Sequence, residues 1–179
     1  MTSLIVHALI EIIGKNPARP ADLRGLSEEK IKERRDIENL TWLLRSVHWP
    51  TLENDIRQGP KIRSHMALDF FGDFEAVLKS SYFHLYDTAL RTKVDALHDA
   101  WARSVAYPER YESQPFAYQY VFTTPFDREL TSGERRQWNS IRTALDKLRL
   151  AMDSLLGEIR SRFPTIDIRP KFPIPECRR

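Results

Sequence analysis

Trp138, Ile141, Leu145, Leu148, Met152, Leu155 and Ile159 follow one another at alternating steps of three and four. That is the a/d spacing of a helix lying along a second helix, because 3.5 residues per repeat keeps one stripe facing a partner. Thr131 followed three residues later by Glu134 reads as a capping box, and Pro164 stops the helix. Residues 131–163 therefore form one rod, roughly 45 Å long at 1.5 Å rise per residue. A rod with so narrow a seam needs a long neighbour. The expected fold is all-α, mainly a helical bundle of about four major helices, with residues 1–179 as a single helical domain.

The other elements follow from periodicity and punctuation. Residues 4–13 read as a short apolar helix closed by Gly14, Pro17 and Pro20, so that 1–26 is a short helix and loop. Ser27 caps a helix running to about His48, with Ile37, Leu40, Leu44 and Val47 as its apolar stripe, widened by Trp42 and Leu43. Pro50 stops it, and Thr51 caps a short helix over 52–57 that Gly59 and Pro60 end. Residues 62–106 are helical with two apolar stripes, and a break is expected near Gly72, since one straight rod would be long for this domain. Phe116, Tyr118, Tyr120 and Phe122 alternate with Ala117, Gln119 and Val121, so 116–123 forms a small β or extended excursion. Either it pairs with 165–168 or it crosses the helices as an aromatic loop. Residues 169–179, with three prolines, are an irregular tail. The excursion joins the heptad helix to the helix of Leu90, Val94, Leu97 and Trp101, and the two are expected to pack antiparallel.

Composition excludes several classes. With 30% charged and 41% hydrophobic residues, and with its longest apolar run broken by His7 and Glu11, the chain reads as cytoplasmic, with no membrane partner. Cys177 stands alone, which removes intrachain disulfides and cysteine metal sites. No two histidines are three or four residues apart, the six glycines form no phosphate-cradling loop, and no serine sits in a nucleophile elbow, so neither metal nor cofactor is expected. Arginine supplies 20 of the 28 basic residues. They are unevenly placed: 134–179 carries eleven basic against six acidic residues, and 69–99 carries six acidic against three basic.

On an unbroken helix, His84, Asp87, Arg91, Asp95 and His98 project within roughly 80° of one another. Histidine titrates near neutrality and arginine stabilises developing negative charge, so these five are the candidate catalytic residues, suited to phosphodiester cleavage without a metal. The same spacing also makes ordinary i,i+4 ion pairs of Asp87 with Arg91 and Arg91 with Asp95. The stretch Arg91-Thr-Lys-Val-Asp-Ala-Leu-His98 resembles the arginine-to-histidine motif of HEPN-type helical ribonucleases. That resemblance implies an all-helical, dimeric enzyme in which Arg91 binds phosphate and His98 acts as general acid or base.

A second alternative is nucleic-acid binding. Residues 4–13, 20–26 and 27–47 resemble a helix-turn-helix unit, with Lys30, Lys32, Arg34 and Arg35 at the start of the third helix. Glu28, Glu29, Glu33 and Asp36 nearly cancel that charge. The aromatic run 116–122 reads either as core-facing side chains or as a platform for single-stranded bases beside Arg110 and Arg128. Packing signals outweigh chemical ones. The expected function is a non-enzymatic helical interaction or regulatory module acting through protein–protein contacts, with a protein partner or a second copy of itself as a homodimer.

Overall fold

The structure, a computed structural model, describes residues 27–123 and 129–167. Expectations for 1–26, Arg128, Ile168 and 169–179, Cys177 among them, fall outside the described residues. Contacts divide the chain into Met1–Arg34 and Arg35–Arg179. In the first unit, the Ser27 carbonyl accepts from the Ile31 N–H at 3.1 Å and its Oγ from the Lys30 N–H at 3.4 Å, which starts helix α1 (Glu28–Arg45). Glu28 pairs with Lys32 at 2.6 Å, and this hydrogen bond holds the Glu28 carboxyl below its ordinary value.

The second unit is mainly helical and carries a three-stranded antiparallel sheet. After α1 come α2 (Trp49–Gln58), β1 (Ile62–Ser64), α3 (His65–Leu78), α4 (Thr88–Ser104), β2 (Tyr111–Gln114), β3 (Gln119–Phe122) and α5 (Ser132–Arg162). The rod read from the heptads is α5. Thr131 accepts from the Glu134 N–H at 3.3 Å, and the Glu134 carboxylate accepts from the Thr131 N–H at 2.8 Å, completing the capping box. Ile141, Leu145, Leu148, Met152, Leu155 and Ile159 are buried, and Trp138 meets Phe122 edge to face with centroids 5.1 Å apart. Their long neighbour is α4, which buries Leu90, Val94, Leu97 and Trp101. Lys93 near the start of α4 reaches the Ser154 hydroxyl near the end of α5 at 2.7 Å, so the two helices run antiparallel. Each buried leucine along this seam contributes about 1.5–3 kcal/mol.

Four expectations need correcting. α3 continues through Gly72, whose missing side chain faces open space, so the glycine weakens the helix only by about 1 kcal/mol of propensity. The break lies at residues 79–87 instead, where Asp87 restarts the chain as N-cap of α4, accepting from the Leu90 N–H at 3.0 Å. Residues 62–64 are strand, not helix. β3 pairs with β1 (Ile62↔Val121) and β2 (Tyr111↔Phe122), in the order β1-β3-β2, and not with 165–167. Finally, α2 begins at Trp49, with His48 as N-cap and Pro50 in the first turn, where a missing N–H is harmless.

Candidate functional site

The restart at Asp87 separates His84 from the polar stripe, whose other members, Asp87, Arg91, Asp95 and His98, stay on one helix. His84 lies before α4, exposed, with its ring edge-on to Tyr86 at 4.6 Å, and its carbonyl accepts from the Asn39 side chain at 2.7 Å. Asp87 caps α4 and accepts a hydrogen bond from Arg162 in the last turn of α5. That bond, followed by the backbone N–H of Leu90, holds the Asp87 carboxyl below the usual aspartate range. Arg91 and Asp95 are exposed on α4, and neither makes an ion pair with a described residue. His98 is half-buried: its ring stacks on Phe71 with centroids 5.8 Å apart, and its nitrogens lie 3.5 Å from Glu75 and 3.5 Å from Asp99. Glu75 also bonds Lys79, the main reason its carboxyl sits below the ordinary value. Arg91 and His98 thus share a helix face, seven residues or about 10.5 Å of rise apart, while His84 and Asp87 serve the helix start.

Two buried aspartates were not anticipated. Asp36 on α1 accepts from the N–H groups of Tyr86 at 2.7 Å and Asp87 at 2.9 Å, which fixes the segment leading into α4. Asp55 on α2 is fully buried with Arg63 of β1. Arg63 Nε donates to Asp55 Oδ2 at 2.9 Å and its Nη1 to the Ser104 carbonyl at 2.7 Å, while Asp55 Oδ1 accepts from the Ser64 N–H at 2.6 Å. One guanidinium therefore joins α2, β1 and the last turn of α4, whose carbonyl end favours a cation. The only sequence signal was Asp55 three residues after Leu52, on the apolar side of a short helix.

The opposite flank of the α4–α5 pair is different. Two adjoining depressions, of about 450 and 390 Å³, share Tyr107, Arg136 and Ser140. Arg110, Arg103 and Lys147 complete their cationic lining. Arg110 donates to Gln137 at 2.6 Å and lies 3.6 Å from Glu134. Arg103, Arg136 and Lys147 have no carboxylate within ion-pair distance among the described residues. No group of three His, Cys, Asp or Glu side chains among the described residues is placed to hold a metal ion.

The aromatic run divides. Phe122 is buried between Tyr111 and Trp138, Tyr120 stacks on His65 at 3.9 Å, and Phe116 and Tyr118 project from the turn between β2 and β3, 102% and 70% exposed. Tyr118 has φ +50°, in the left-handed region, and its carbonyl accepts from the His65 N–H at 3.2 Å. No protein-family profile, no curated protein and no solved structure matches this chain. Among the described residues no helix is long and apolar enough to cross a membrane.

Proposed function

We propose that this chain is a non-enzymatic helical interaction module acting in the cytoplasm through protein–protein contacts, with the tip of the β2–β3 hairpin as its point of contact. The observation that carries the reading is the fully exposed Phe116 beside the exposed Tyr118. A non-glycine residue in the left-handed region costs on the order of 1–3 kcal/mol, and the His65 hydrogen bond holds it there. Large aromatics displayed on a rigid turn match the anchors that dominate protein interfaces. Self-association is the simplest form of such contact. The full chain should sediment as a dimer at micromolar concentration and as a monomer when Phe116→Asp and Tyr118→Asp are combined. If the partner is another protein, p-benzoylphenylalanine in place of Phe116 should cross-link to a discrete protein in cells. A monomer whose position 116 cross-links to no protein would overturn the reading.

A second reading, metal-independent RNA cleavage, is supported by an Arg91 guanidinium with no ion-pair partner among the described residues and by a His98 imidazole flanked by carboxylates. It predicts cleavage of RNA in the presence of a chelator that disappears in both Arg91→Ala and His98→Ala. Cleavage that persists in either variant removes it.

A further inference from the structure

We infer that the cationic groove between α4 and the first half of α5 binds the sugar–phosphate backbone of single-stranded nucleic acid, independently of the hairpin contact. Arg136, Ser140, Thr143 and Lys147 fall at steps of four, three and four, which places them on one stripe of α5 about 16 Å long. Across that stripe lies Arg103 near the end of α4, and Arg110 stands at its start. Guanidinium, ammonium and hydroxyl groups are among the donors that contact phosphate oxygens in nucleic-acid complexes.

The arrangement decides among polyanions. An isolated phosphate or a nucleotide would call for converging donors, whereas these are spread along a helix. An acidic protein segment would need apolar anchors to hold it, and the apolar lining here is Ala106, Ala144 and the Tyr107 ring. Nucleic-acid interfaces are polar and strongly cationic, as this one is. Packed helix axes lie about 8–10 Å apart, a furrow suited to one strand and too narrow to seat a duplex.

The outer face of α5 shows that the groove is not merely a share of a basic helix. Arg142, Arg149 and Arg160 are equally exposed there, yet Asp146 and Asp153 project within roughly 60° of them. The groove stripe from Arg136 to Lys147 has no acid of its own. Glu134, two residues before Arg136, is engaged with Thr131 and Arg110, and Asp99, one turn before Arg103 on α4, lies 3.5 Å from His98.

The test is fluorescence anisotropy of labelled oligouridylate, oligothymidylate and a mixed-sequence duplex with the full chain at 50 to 200 mM salt. One variant combines Arg103→Ala, Arg136→Ala and Lys147→Ala; a matched control combines Arg142→Ala, Arg149→Ala and Arg160→Ala. Each lost phosphate contact lowers the slope of log affinity against log salt by about 0.7 on a single strand. The groove variant should therefore have a slope shallower than wild type by about 2. Its disadvantage should shrink about twentyfold between 50 and 200 mM. The control should keep the wild-type slope, and circular dichroism should give all three proteins the same melting curve. No binding at 50 mM, equal effects of the two triple variants, tighter binding of the duplex, or equal displacement by polyglutamate would each overturn the inference.

Discussion

The two flanks of the α4–α5 pair handle charge in opposite ways. On the side packed against α3, and in the contacts that α4 makes with α1 and β1, the buried and half-buried charged groups named above are committed, while Arg91 and Asp95 stay exposed with no ion pair to a described residue. Asp36 holds two backbone amides, Asp87 holds a helix start and Arg162, Arg63 holds Asp55 and Ser104, and His98 lies between Glu75 and Asp99. On the other side Arg103, Arg136 and Lys147 have no described counter-ion. The first set builds the structure. The second is held in place by a scaffold that does not need it, which is the expected condition of groups reserved for something that arrives from solution.

This contrast can be broken by stability measurements. Asp55→Ala or Arg63→Ala should lower the urea-unfolding free energy by about 3–5 kcal/mol, because either leaves a charge buried without its partner. A loss below about 1 kcal/mol would mean that the pair is replaceable. Asp36→Ala should cost about 2–3 kcal/mol, since it removes a charged acceptor from two amides, and hydrogen exchange at Tyr86 and Asp87 should accelerate.

The half-exposed Asp87–Arg162 pair should matter less. Solvent screening limits the effect of Arg162→Ala to under about 1 kcal/mol at pH 7. The Asp87 carboxyl is held below its ordinary value, so the folded state binds that proton less tightly than the unfolded chain does. The contribution is present in full above the ordinary aspartate pKa of about 4 and is lost as pH falls through the depressed value. Denaturation curves of wild type and Arg162→Ala should accordingly differ at pH 7, begin to converge as pH falls below about 4, and meet only below the depressed Asp87 value. The smallest effect belongs to the groove: Arg103→Ala, Arg136→Ala and Lys147→Ala should each change stability by less than about 0.5 kcal/mol. A larger loss would show that those cations also serve the scaffold.

The difference between the flanks also explains what could be read from the chain. The α5 seam, its capping box and its antiparallel packing on α4 were legible because helical periodicity reports which face is buried, and that is a local property. Gly72 draws the expected break because glycine is a local signal. The residue that decides it, Asp36, is 50 residues from the amide it holds at Tyr86. His84 shares a face with Arg91, Asp95 and His98 only if the helix is unbroken, whereas Asp87 begins the helix that carries those three. Arg63 was equally hidden, as an arginine in a three-residue strand looks like a surface residue until its carboxylate is found on another element. The groove combines the end of one helix with the start of another, so its residue types were visible but their proximity was not.

The lock formed by Asp55, Arg63 and Ser104 also has a consequence for descent. Losing either charged partner alone strands the other in the core, so single steps away from the pair pass through poorly folded intermediates. Replacing both with apolar side chains can restore stability. Positions 55 and 63 should therefore be inherited as one character: relatives of this chain should keep both charges or neither, and a sequence carrying only one should show a compensating change at the end of α4.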